Sequence, residues 1–96
     1  MTHRDVFNAY ADQCATEYLL ARDRGVSDPV IVLDAPDPTD LDDVEVEARP
    51  KMQVALDEST GAALANDLLT TPADRLHVIV LFGDEVHGYT IDRPTG

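Results

Sequence analysis

Between Asp28 and Glu47 the chain carries eight acidic side chains and not one lysine or arginine. Carboxylates without counter-ions stay hydrated, so these side chains cannot be packed inside a small domain. The stretch must present them at the surface. The ten residues 34–43 within it hold five aspartates and two prolines, which makes them a loop, extended and exposed. The concentration is local. Of a net charge of −12, residues 1–27 contribute −1 and residues 48–96 contribute −3, leaving −8 for residues 28–47. Adaptation to a salty solvent would spread acids over every exposed face, so a local cause is the better explanation.

A chain of 96 residues supplies one domain, residues 1–96, burying about 65% of its unfolded surface. Net negative charge disfavours phosphate backbones and anionic lipid, so neither direct nucleic-acid binding nor membrane binding is expected. Cys14 is the only cysteine and cannot form an intramolecular disulfide, the staple of small secreted domains. The opening residues contain no apolar run of signal-peptide length, and a cytoplasmic location is the expectation. The longest apolar runs, Val30–Leu33 and Val78–Phe82, fall far short of the roughly 20 residues that span a bilayer.

Periodicity places the elements. Phe7, Tyr10, Ala11, Cys14, Tyr18 and Ala21 recur at helical spacing and predict a helix over about 3–24. Thr2 and Asp5 are set for a capping box, and Gly25 stands where a left-handed terminal residue is wanted. The stripe reads as cover for a sheet, with Cys14 a small core residue rather than a nucleophile. Val30–Leu33 is a continuous apolar run bounded by turn residues, the pattern of a strand covered on both faces. From Val44 to Leu56 apolar and polar residues alternate, predicting a half-buried strand. Pro50 makes it an edge strand or breaks it in two. Glu45, Glu47, Arg49 and Lys51 would share its solvated face and guard the edge. Residues 57–61 supply caps for a second helix over about 58–70, closed by Thr71-Pro72. Leu76–Phe82 and Val86–Ile91 form a hairpin through Gly83-Asp84-Glu85, and 92–96 is a short polar tail.

The order is helix, strand, strand, helix, strand, strand. The expected fold is α+β: a single two-layer domain with both helices packed on one face of a four-stranded, mostly antiparallel sheet. A circular permutation of the ferredoxin-like plan would give the same order.

Little in the chain points to catalysis. His77 and His87 lie on the two strands of the hairpin, but a tight turn sets Val80 or a neighbour, not His77, opposite His87. Together with His3, and without CxxC or HExxH spacing, they make no zinc site. Counted as a calcium loop from Asp34, the acidic stretch puts prolines at the third and fifth positions and Thr39 in place of the glycine. Ser27 and Ser59 sit at connections or caps, and the five glycines are too scattered for a phosphate loop. No metal, no cofactor and no enzymatic activity are expected; a small hydrolase-like enzyme and a cation-binding protein rank last.

Interaction is the remaining class. Eight crowded carboxylates repel one another, and a surface rich in Arg and Lys relieves that repulsion on docking. Asp34, Asp37, Asp40, Asp42, Asp43, Glu45 and Glu47 are therefore the candidate partner-binding residues. In size and composition, though in no motif, the chain resembles the small acidic inhibitors encoded by phages. That resemblance implies a charge mimic occupying the path of a nucleic-acid backbone on a basic protein. The alternative is a homodimerising accessory domain, in which five aromatics and eleven alanines make a thin core and the acidic loop only confers solubility.

Overall fold

The structure, a computed structural model, describes residues 2–37, 39, 41–57, 61–71 and 74–92. Helix α1 spans His3–Asp23 and strand β1 Pro29–Ala35. A short 3₁₀ turn at Leu41–Asp43 leads to strand β2, Glu45–Pro50. Helices α2, Lys51–Asp57, and α3, Ala62–Thr70, follow, and strands β3, Arg75–Phe82, and β4, Glu85–Asp92, close the chain.

Both ends of α1 are fixed by local hydrogen bonds, as its sequence predicts. Thr2 Oγ1 accepts from the Asp5 amide at 3.3 Å while Asp5 Oδ2 accepts from the Thr2 amide at 2.8 Å. At the other end Gly25 adopts φ +87°, its amide reaches the Arg22 carbonyl, and the Val26 amide reaches that of Ala21. A side chain at residue 25 would be strained in this left-handed turn.

The four strands run in the order β2-β1-β3-β4, with β1 and β3 parallel and the two outer pairs antiparallel. The α+β class and the four-stranded sheet agree with the sequence reading, and the element order does so except for a third helix, α2, inserted after β2. The layering does not. One set of sheet side chains, Ile31, Leu33, Leu76, Val78, Val80 and Phe82, packs on α1. The alternate set, Val30, Val32 and Ile79, packs with Val54, Ala55 and Leu68 of α2 and α3. The helices thus cover opposite faces in three layers instead of sharing one, and the permuted ferredoxin-like plan does not describe the molecule. The parallel pair is the reason. A parallel neighbour requires a long crossover connection, and the helices within that crossover cover the second face.

The predicted long strand over 44–56 stops at Pro50, and α2 begins at Lys51, so Lys51 leaves the row formed by Glu45, Glu47 and Arg49. Met52, Val54 and Leu56 would share one face of a strand. Two residues apart on a helix they diverge by about 200°, and only Val54 is buried, Met52 and Leu56 being exposed. Of the caps expected from residues 57–61, Asp57 instead ends α2 and Gly61 is the N-cap of α3 with no side-chain hydrogen bond, so the second helix starts at Ala62; residues 58–60 and the tail at 93–96 lie outside the described residues. Among the described residues no helix is long and apolar enough to cross a membrane.

Because both faces are covered, truncation should be severe on either side. Ile31→Ala, facing α1, and Ile79→Ala, facing α2 and α3, both start from fully buried side chains. Each should lower the unfolding free energy by about 2–5 kcal/mol in urea titrations. A loss near zero for Ile79→Ala would mean that the second face is not packed.

Candidate functional site

The acidic segment is organised by the end of β1. Asp34, half-buried, is the Cα partner of Glu45 in β2, so two carboxylates face each other across adjacent strands on one side of the sheet. Like charges in that position are destabilising. Asp37, exposed, is held by Thr39, whose amide and hydroxyl donate to its Oδ1 at 2.9 and 2.7 Å. These bonds lower the Asp37 pKa below the usual carboxylate value, the backbone bond contributing most. Asp42 and Asp43 are exposed in the 3₁₀ turn just before β2. Asp40 lies outside the described residues.

The parallel register adds the acids of the hairpin turn to this group. Ala35 of β1 pairs with Phe82 of β3, and the Gly83 amide donates to the Ala35 carbonyl at 3.0 Å. The hairpin turn, with Gly83 at φ +60° and exposed Asp84 and Glu85 beside it, therefore stands at the same end of the sheet as Asp34, Asp37, Asp42, Asp43 and Glu45. No local signal marks Asp84 and Glu85 as part of this group; only the pairing of strands distant in sequence does.

Glu47 separates from the group. Its carboxylate pairs with the Arg49 guanidinium at 2.9 Å, and the same arginine lies 3.7 Å from Asp57. Its charge is thus already offset within the protein. Among the described residues no ion pair reaches Asp34, Asp37, Asp43, Glu45 or Asp84.

The histidines are divided between the two faces. Val80 pairs with His87 and Thr90 with His77, the register expected of a tight hairpin. His87 faces α1, where the His3 ring stacks on it with centroids 3.5 Å apart. His3 Nδ1 also hydrogen-bonds the Tyr89 hydroxyl, and Phe7 stacks on Tyr89 at 4.5 Å. This aromatic cluster anchors the start of α1 to β4. Glu85 lies 3.7 Å from His87. Cys14 is fully buried, and burial pushes its thiol up to about 12, so it presents no thiolate at neutral pH. Among the described residues no three His, Cys, Asp or Glu side chains are grouped to hold a metal ion.

His77 is the one buried polar side chain among those described, 6% exposed on the face covered by α3. Its Nδ1 lies 2.9 Å from Thr71 Oγ1, which itself donates to the Asp67 carbonyl at 2.7 Å. The single hydroxyl proton is used there, so His77 Nδ1 carries the hydrogen and Nε2 is left as an acceptor. Nε2 is buried with no hydrogen-bond partner. Leaving such an acceptor unpaired costs about 1–3 kcal/mol. Burial lowers the His77 pKa, Lys51 lowers it further, and Asp67 partly opposes them.

Comparison of the chain with protein-family models, with curated proteins and with solved structures finds no match.

The lowered His77 pKa fixes a sign. The unfolded ring takes up its proton at a higher pH than the folded ring, so stability from this group is complete above the unfolded value near 6.5. It is lost as pH falls from there toward the folded value. Chemical denaturation of wild type should show a steeper loss below pH of about 6.5 than His77→Gln. Parallel curves for the two proteins would remove His77 as the cause.

Proposed function

We propose that the chain is a cytoplasmic, non-enzymatic interaction module that docks the acidic end of its sheet on a basic protein surface. The observation that carries this reading is the convergence of Asp34, Asp37, Asp42, Asp43 and Glu45 with Asp84 and Glu85 at one end of the β1–β3 pair. Their mutual repulsion is relieved when arginine and lysine side chains approach, and their shared position focuses the field that steers the encounter. Glu47, paired internally, makes a smaller contribution than its place in the acidic segment suggests. A phage-type charge mimic is the specific form this reading takes.

The test separates location from total charge. One variant carries Asp34→Asn, Asp42→Asn, Asp43→Asn and Glu45→Gln; the other carries Asp12→Asn, Asp23→Asn, Asp74→Asn and Asp92→Asn. Each removes four negative charges from −12 and reaches −8. Binding of a nona-arginine peptide should weaken about tenfold or more in the first variant and far less in the second. Its affinity should fall steeply as salt rises from about 50 to 500 mM. Equal losses in the two variants would show that only net charge matters and overturn the docking surface.

The homodimer reading has its own observation: Met52, Leu56 and Leu69 of α2 and α3 are exposed apolar side chains. Sedimentation velocity decides it. A dimer that Leu56→Glu dissociates would support that role, and a monomer at high protein concentration would exclude it.

A further inference from the structure

The face of the sheet opposite α1 holds a cavity of about 340 Å³ beside β4, and its residues lie apart from the acidic end. Leu64, Asp67 and Thr71 of the α3 segment form one side; His77 of β3 with Gly88 and Thr90 of β4 form the other. The volume is at the small end of the roughly 300–1,000 Å³ typical of ligand pockets.

Three features make this more than a gap between elements. His77 is almost completely buried, yet its Nε2 has no partner, and the Thr71 hydroxyl fixes the ring so that Nε2 presents a lone pair. Gly88 contributes no side chain over that nitrogen, and the Leu64 Cδ1 methyl fills the space instead. A Cβ there would lie 3.2 Å from His77 Nε2 and 2.5 Å from Leu64 Cδ1. The third feature is charge. Asp67 lines the cavity and is exposed, while the nearest ammonium, Lys51 Nζ, is turned to the Thr71 carbonyl at 3.4 Å and is not part of the lining. The cavity therefore offers a neutral nitrogen acceptor, a carboxylate and one aliphatic wall.

We propose that this cavity binds the head group of a small organic cation with N–H donors, an alkylguanidinium or alkylammonium. One N–H is directed to His77 Nε2, a second to the Asp67 carboxylate, and the short alkyl stem lies against Leu64. The half-buried Leu64 side chain rotates to admit the head group, since its terminal methyl packs at the same point over Gly88 as Nε2. A neutral hydroxyl compound would satisfy Nε2 but leave the carboxylate without a charged partner, and an anion would be repelled by Asp67. This site is independent of the acidic end.

The wild-type protein and three probes test it: butylguanidinium, butylammonium and tetramethylammonium. The last has the same charge and no N–H. The readout is the ¹⁵N resonance of His77 Nε2 in long-range ¹H–¹⁵N spectra. A saturable shift with at least one of the first two probes and none with tetramethylammonium is expected. Asp67→Asn, an exposed substitution that keeps the backbone carbonyl bonded to Thr71, should weaken that binding about tenfold. An unmoved Nε2 resonance with both N–H probes, or an equal response to tetramethylammonium, would overturn the proposal. Undiminished affinity in Asp67→Asn would do the same for the bidentate geometry. If butylguanidinium binds and butylammonium does not, the planar fork is the preferred ligand.

Discussion

The parallel pairing of β1 with β3 is the contact on which the rest of the molecule depends. These two central strands carry Val30, Ile31, Val32, Leu33, Val78, Ile79 and Val80, each at most 2% exposed, with side chains alternating between two covered faces. Burial of each such side chain contributes about 1.5–3 kcal/mol. No single helix can supply that cover. With α1 on one face, the crossover from β1 to β3 must carry apolar cover to the other, and α2 and α3 provide it through Val54, Ala55 and Leu68. A thin core in composition becomes sufficient because nearly every residue of the central strands is engaged by both neighbouring strands and by a helix.

The same pairing creates the electrostatic character of the molecule. Parallel strands end at the same side, so the acidic segment after β1 and the acidic turn after β3 are brought together although about forty residues separate them. Within this group the facing of Asp34 and Glu45 is a local conflict that the buried strands tolerate. Elsewhere the protein resolves its own charges: Arg49 takes up Glu47 and approaches Asp57 at the far part of β2. The contrast between a settled region and an unsettled one on the same edge strand gives the acidic end its directional quality.

Much of this architecture is legible in the residues. The capping box of Thr2 and Asp5, the terminating Gly25, the doubly covered run at Val30–Leu33, the edge position announced by Pro50 and the hairpin register of His87 all follow from local patterns. The position of the second helical layer is not local. A strand buried on both faces implies two covers, and a two-layer reading contradicts that implication; only the parallel register resolves it. Residues 51–56 mislead for a different reason. Met52, Val54 and Leu56 alternate as a strand would, but Pro50 ends the ladder and the chain turns helical, burying Val54 with Ala55 and leaving Met52 and Leu56 exposed. At the candidate site, Asp34, Asp37, Asp42, Asp43 and Glu45 stand out by crowding. The roles of Asp84, Glu85 and the His77–Gly88 cavity depend on contacts between strands and helices that no spacing rule encodes.

The hydrogen bond from the Gly83 amide to the Ala35 carbonyl joins the two acidic segments and exists only if β1 and β3 run parallel in the described register. A through-hydrogen-bond scalar coupling between Gly83 ¹⁵N and Ala35 ¹³C′ reads it directly. The coupling is expected, together with a Gly83 amide that exchanges slowly with solvent. Absence of the coupling combined with antiparallel cross-strand contacts between β1 and β3 would contradict the fold and, with it, the single acidic end.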